Sequence, residues 1–238
     1  MKAELSDVDR GAAAYTRRSL AFYNWWVLKV SNNLAWNCPT EKILELYREH
    51  ITENHLEVGA GTGFFLQETL PQGMPRVALL DINRDCLDYA SKKIADYNPE
   101  VFQENILEPL DLPGARFDSM AINYLLHCLP GNLEMKAETV FDNLIPFLKE
   151  NGTVFGSTIL GADVRRSLPA ILLMKLYNRK GIFSNKNDSL GAIMEILSSR
   201  FKTFNVEVHG CVVLFWAKGL RASCLEGRSE AVPTALGK

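Results

Sequence analysis

Residues 55–63 read H-L-E-V-G-A-G-T-G, a short apolar run that breaks into three alternate glycines. Glycine destabilises a helix or strand interior but permits a sharp turn and a close approach of backbone to a ligand. His55–Val58 is therefore expected as a strand, the glycines as its turn, and the helix-like Phe64–Leu70 as the element that follows. The next apolar run, Arg76–Leu80, is a second strand that ends on Asp81. That carboxylate stands about 20 residues beyond the turn, where it can accept both hydroxyls of a ribose.

The alternation continues along the chain. Asn83 is placed to cap a helix reaching Tyr97, with Leu87, Ala90, Ile94 and Tyr97 on one face. Strands follow at Val101–Gln103, Phe117–Tyr124 and Gly152–Leu160, with a helix over Leu133–Leu148. Residues 165–177 and 189–200 read as helices, and Thr203–His209 with Cys211–Lys218 as a hairpin around Gly210. Thr40 is expected to cap a further helix ahead of the first strand. Strand alternating with helix implies parallel strands with crossover helices, and a final hairpin adds an antiparallel edge. The expected fold is α/β: a seven-stranded, mostly parallel sheet with helices on both faces and an antiparallel C-terminal hairpin. On such a sheet ligands bind beyond the carboxyl ends of the strands, where strand order reverses.

The 238 residues suffice for one such domain, and 47% hydrophobic with 23% charged residues is ordinary globular composition. The formal net charge of −2 shows no basic footprint, so no nucleic-acid partner is expected. The first twenty residues carry Lys2, Glu4, Asp7, Asp9, Arg10, Arg17 and Arg18, which leaves no room for the apolar core of a secretory leader. No run is long enough to span a membrane, so no membrane partner is expected. The five cysteines form no C-x-x-C pair and read as reduced thiols, which points to the cytoplasm. The expected division is a helical cap over 1–37, the main domain over 38–221, and a disordered tail over 222–238.

The glycine spacing is G-x-G-x-G with Glu57 two residues ahead, not the G-x-G-x-x-G of a dinucleotide site, and Glu57 would repel a pyrophosphate. The segment resembles motif I of class I S-adenosylmethionine-dependent methyltransferases, and Asp81 matches the acidic end of their second strand. E-N-I-L-E at 104–108 resembles the turn that holds the adenine in that family, and F-D-S-M-A-I-N-Y-L-L-H-C-L-P-G at 117–131 its fourth-strand motif. In the latter, Cys128 replaces one of two usual histidines and His127 keeps the other. The resemblance covers residues 40–160 by motif and is closest to the ubiquinone/menaquinone-type and secondary-metabolite branch. It implies a Rossmann-like fold, S-adenosylmethionine as cofactor, and methyl transfer to a small molecule.

Carried over residue by residue, the resemblance assigns Glu57, Gly59, Ala60, Gly61, Gly63, Asp81, Ile82, Asn105, Ile106, Asn123 and Tyr124 to the donor. Glu57 suits its ammonium and sulfonium, Asp81 its ribose. Asn105 or the Ile106 N–H suits the adenine edge, and Asn123 and Tyr124 the methionine end. His127 and Tyr23 are the candidate catalytic groups. The acceptor pocket is expected from residues 161–188, with Met174, Tyr177, Ile182 and Phe183, and from the aromatic cluster Tyr15, Tyr23, Trp25, Trp26 and Trp36. No prolines follow Asn123, which sets the chain apart from amino-group DNA methyltransferases. Asp142-Asn143 lies mid-helix with no partner cluster, so no metal is expected. A protein that binds the donor without transferring methyl, and a nicotinamide-dependent oxidoreductase, are the alternatives; the oligomeric state is not legible.

Overall fold

A computed structural model describes residues 32, 35–73, 76–114 and 116–226. Seven strands form one sheet: β1 (Asn54–Val58), β2 (Arg76–Leu80), β3 (Glu100–Phe102), β4 (Phe117–Asn123), β5 (Leu148–Ile159), β6 (Phe201–His209) and β7 (Val212–Leu220). Their order is β3-β2-β1-β4-β5-β7-β6. The first five run parallel, while β7 pairs antiparallel with both β5 and β6. Among the described residues the α-helices are α1 (Thr40–His50), α2 (Phe64–Thr69), α3 (Arg84–Lys93), α4 (Leu133–Leu144), α5 (Leu168–Arg179), α6 (Leu190–Arg200) and α7 (Ala222–Glu226).

Side chains alternate across the strands and build two cores. Leu56, Val58, Ala78, Leu80, Met120 and Ile122 join Val140, Phe141 and Leu144 of α4 and Ile193 and Leu197 of α6. Val77, Leu79, Ala121 and Phe155 face the other way, against Ile43 and Tyr47 of α1, Leu87 and Ala90 of α3, and Met174 of α5. Both faces of the parallel strands are thus covered, as a central parallel sheet requires. Strand order reverses between β1 and β4, which opens the crevice at their carboxyl ends.

Several boundaries differ from expectation. Pro39 precedes α1 at the cap position with no side-chain cap, and Thr40 is the first helical residue. Its hydroxyl accepts from Asn32 Nδ2 instead (3.1 Å). The helix expected to run through Leu148 stops at Leu144; Pro146 sits in the 3₁₀ turn Ile145–Phe147, and β5 begins directly at Leu148. Likewise α3 stops at Lys93, ahead of the 3₁₀ turn Ala95–Tyr97. Its cap is as expected, with Asn83 Oδ1 accepting from Asp85 N–H (2.9 Å). Residues 222–226, expected to open the tail, form α7, with Cys224 and Leu225 packed against the first core. Trp36 and Ala35, expected in the cap, are buried in the second core. Tyr15, Tyr23, Trp25 and Trp26, and residues 227–238, lie outside the described residues.

One buried ion pair fixes the return of the chain from α5. Lys136 Nζ lies 2.8 Å from Asp188 Oδ2, with both side chains 1% exposed. The ammonium also donates to Leu129 O (3.3 Å) and Ser184 O (2.6 Å). Asp188 O accepts from the N–H groups of Gly161 and Ala162, and Asn185 Nδ2 donates to Ile159 O (2.9 Å). The segment before α6 is therefore fastened to both α4 and the end of β5. Burial pushes the Asp188 carboxyl up to about 6, against the opposing pull of Lys136.

Removing one partner strands the other charge in the interior, which costs about 3–5 kcal/mol. Lys136→Met is expected to lose stability on that scale at neutral pH in chemical denaturation. The stranded carboxyl titrates above its unfolded value, so its penalty is present at high pH and relieved as pH falls through the folded pKa. The loss should therefore shrink on acidification, and Lys136→Met with Asp188→Leu should recover most of it.

Candidate functional site

The crevice at the switch point is lined by the turn after β1. Gly59, Gly61 and Gly63 all have left-handed backbone, with φ of 79°, 51° and 67°. The Gly59 N–H donates to Leu80 O (2.7 Å) and ties the turn to the end of β2. The three glycines are not equivalent. A Cβ on Gly63 would lie 3.0 Å from Ala90 Cα and 3.1 Å from Ala90 Cβ, so this glycine lets the turn pack on α3. A Cβ on Gly61 would meet nothing nearer than Gly59 O at 3.9 Å. Gly61 faces open space, and Ala60 beside it is buried.

Asp81 stands at the end of β2 with Ile82 after it. Its Oδ1 accepts from Asn83 N–H (2.8 Å) and its Oδ2 from Gly61 N–H (3.4 Å). Its own N–H donates to Phe102 O (3.2 Å), and Ile82 O accepts from Gln103 Nε2 (3.3 Å). The Ala60 and Ile82 N–H groups also act on the carboxylate, so it lies in a ring of four backbone donors. Burial pushes the carboxyl up to about 6, while these backbone N–H groups pull it down. The open side of Gly61 and the Asp81 carboxylate are joined by the bond between them, and together they fit a nucleoside with a free ribose.

Glu57 is differently engaged. It is 4% exposed. Its Oε1 accepts from Tyr47 OH (2.7 Å), and its Oε2 lies 3.3 Å from His55 Nε2. His55 Nδ1 lies 2.8 Å from Ser119 Oγ, which also accepts from Thr52 N–H (3.0 Å). Serine, histidine and glutamate here have the spacing of a nucleophilic array, yet His55 and Ser119 are fully buried. The network anchors α1 and β4 to β1. Nothing in the sequence names Tyr47 or Ser119 as its members, although His55 and Glu57, two apart on one strand, must share a face.

Asn105 caps its own turn: Oδ1 accepts from Leu107 N–H (3.1 Å) and Nδ2 donates to Glu108 Oε1 (3.1 Å). Ile106 is buried, and its carbonyl accepts from Asn143 Nδ2 (2.8 Å). Asp142 accepts from Arg200 Nη2 (2.7 Å) and Nε (3.0 Å). The Asp142-Asn143 pair is thereby accounted for, and no metal-ligating cluster occurs among the described residues.

At the tip of β4, Asn123 Oδ1 accepts from the Ser157 hydroxyl, and Tyr124 N–H donates to Ser157 O (2.9 Å). Tyr124 has φ 53°, a left-handed backbone that is rare for a bulky residue. The buried His127 ring accepts the Ile159 N–H at Nδ1 (3.3 Å). Its proton therefore resides on Nε2. Burial, then the nearby Lys136 charge, pulls its pKa down to about 3. The ring is a neutral donor at physiological pH. It meets Phe183 edge-on (4.5 Å between centroids) and Tyr124 at 5.8 Å. Phe183 in turn meets Tyr177 at 4.9 Å and Trp36 at 6.0 Å. Tyr177 and Phe183 from 161–188 and Trp36 from the N-terminal aromatics thus form one ring cluster with His127, while the other expected N-terminal aromatics lie outside the described residues. Tyr23, the other candidate catalytic group, lies outside the described residues.

Comparison with known proteins agrees with this geometry. Residues 56–154 match the family model described as a methyltransferase domain. Methyltransferase aurB of Calcarisporium arbuscula is 38% identical over 210 residues, covering 82% of this chain and 91% of that one. The physcion biosynthesis cluster O-methyltransferase of Aspergillus chevalieri is 35% identical over 217 residues, covering 90% and 97%. In structure, the N-methyltransferase NodS from Bradyrhizobium japonicum WM9, in complex with S-adenosylhomocysteine, aligns at TM-score 0.62 with 14% identity over 90% of this chain and 99% of that one. The chain belongs to the class I S-adenosylmethionine-dependent methyltransferases, in their small-molecule branch. The oxidoreductase alternative is set aside by this membership.

Donor binding should report the Asp81 titration. With a ribose on Asp81, as the sequence leads one to expect, its hydroxyls would donate to the ionised carboxylate, whose population falls as pH drops through about 6. Affinity for S-adenosylhomocysteine is expected to weaken about tenfold from pH 7 to pH 5, following the loss of the ionised form. Calorimetry should show proton release on binding near pH 6, and Asp81→Asn should abolish both effects.

Proposed function

We propose that this enzyme methylates a hydroxyl oxygen of a small, planar, acidic acceptor such as a phenol or enol, in the cytoplasm. The observation that carries this reading is the Gly61–Asp81 cradle at the switch point, opening beside an aromatic enclosure that holds no base among its described residues. Asp81 would hold the ribose, the 59–63 backbone would leave room for the nucleoside, and Ile82 would flank it. The 105–108 turn would offer the Ile106 N–H to the adenine, since Asn105 is engaged with its own turn. Asn123 and Tyr124 would receive the methionine end. Glu57 would act as a fixed negative charge behind the turn, held by Tyr47 and His55.

When bound, the donor supplies a methyl group already activated on a sulfonium. What the protein adds is placement of the acceptor and exclusion of water. Tyr177 and Phe183 would give flat apolar walls, with the buried Trp36 packed against Phe183. His127 is suited to orient an acceptor oxygen as a donor through Nε2–H, not to remove its proton. A neutral aliphatic alcohol would need a base; a phenol or enol can arrive ionised. The relatives named as O-methyltransferases support transfer to oxygen. Five free cysteines support a reducing compartment, and no helix among the described residues is long and apolar enough to cross a membrane.

Labelled S-adenosylmethionine with a panel of phenols and matched aliphatic alcohols tests the reading. Incorporation is expected into phenols alone, and labelled alcohols would overturn the acceptor class. Donor binding without product from any acceptor would favour a protein that holds the donor and does not transfer methyl. Asp81→Ala should weaken donor binding at least tenfold, as expected for losing charge-assisted bonds of roughly 1.5–3 kcal/mol each. Gly61→Val and Gly63→Val should separate the two uses of glycine. The first should fold, by circular dichroism, and fail to bind S-adenosylhomocysteine; the second should lose fold stability through its clash with Ala90.

A further inference from the structure

We propose that Asn32 is a positioning residue for the donor site: it holds the Tyr124 hydroxyl, and with it the left-handed tip of β4, in the arrangement that receives the methionine end of the donor. The proposal rests on the reading of Tyr124 as a donor-binding residue.

Asn32 is fully buried, and its amide is used at both ends. Oδ1 accepts from Tyr124 OH (3.1 Å), and Nδ2 donates to Thr40 Oγ1 (3.1 Å). Its carbonyl accepts the Cys38 N–H (2.9 Å). One side chain therefore joins the first residue of α1 to the tip of β4, and itself lies 92 positions of sequence from Tyr124. Tyr124 needs such support. Its φ of 53° is sparsely populated by residues with bulky side chains, and such a conformation persists only where its surroundings fix it. Ser157 fixes the backbone from β5 through the Tyr124 N–H. Asn32 fixes the far end of the side chain from α1, with the Cys38 thiol also reaching Tyr124. Release of the hydroxyl frees the ring to rotate and the tip to relax toward an ordinary backbone. The ring also stands edge-on to His127, at the border between donor and acceptor spaces.

The test is calorimetry of S-adenosylhomocysteine on the full chain, with thermal unfolding of the unliganded protein measured in parallel. Asn32→Ala and Tyr124→Phe are each expected to raise Kd about fivefold to tenfold, the scale of one net hydrogen bond. The double variant should bind no more weakly than either single one, because both remove the same link. Asn32→Asp keeps an oxygen that accepts from the Tyr124 hydroxyl and gives up only the amide's bond to Thr40. It should bind within about twofold of wild type on that argument, whatever its unfolding temperature. A merely structural residue would instead lower the unfolding temperature and leave Kd unchanged in every variant, which would overturn the proposal. So would losses that multiply in the double variant, or Asn32→Asp binding as weakly as Asn32→Ala. Should Asn32→Ala not fold, Asn32→Asp against Tyr124→Phe decides: the first must bind like wild type and the second must not. Failure of the wild-type chain to bind S-adenosylhomocysteine would sink the donor-site reading itself, and that result is separate from any difference among variants.

Discussion

The site depends on a single hydrogen bond beyond the last rung of the β1–β2 ladder. Val58 pairs with Leu80 in register, and the next N–H, that of Gly59, still donates to Leu80 O. From that point a left-handed glycine bends the chain away from the sheet. The turn and Asp81 are therefore positioned by the same ladder, and the Gly61 N–H closes the loop between them on the carboxylate. A cradle built from backbone in this way needs little reorganisation when a ligand arrives.

The layer behind the turn serves a different purpose. A carboxylate as buried as Glu57 is tolerable only when its charge is answered, and the Tyr47 hydroxyl and His55 imidazole answer it. Around His127 the ring contacts dominate, with Tyr124, Phe183, Tyr177 and Trp36 in one cluster. His127 is held neutral by its burial and by the Ile159 N–H. The two sides of the switch point thus differ in kind: backbone dipoles and a carboxylate around the 59–63 turn and Asp81, aromatic rings around His127 and Phe183.

What the sequence disclosed follows from the range over which each feature is determined. The strand–helix alternation, the final hairpin and the Gly–Asp spacing are local patterns, so the seven-stranded sheet could be read directly and the glycine turn and Asp81 singled out together. Side-chain partnerships between distant segments could not. Glu57 looked free to meet a cation, because Tyr47 and His55 compete for it only once α1 is packed on β1. Asn105 looked free to read a base, although an Asn beginning a tight turn readily caps that turn itself. His127 was legible as a residue of interest but not as a neutral donor, since its state is set by burial and by an N–H on β5. Trp36 lies in an aromatic run that suggests a cap, yet its packing with Phe183 makes it core. The helix end at Leu144 and the strand start at Leu148 turn on Pro146, whose missing N–H ends the α-helical ladder early.

The strand order has a consequence for how copies of this chain coexist at high concentration. It places the crevice mid-sheet and leaves β3 and β6 as the two borders. The β3 border is three residues long, too short to template much of another strand. The β6 border is long but carries Lys202, Asn205 and Glu207 as exposed side chains. Charge and brevity are the features that deter strand addition between molecules. A chain emerging from synthesis can therefore complete its sheet without offering neighbours a long apolar border to zip onto, and the β1–β2 ladder that positions the 59–63 turn is screened from the border by β3 on one side and by four strands on the other.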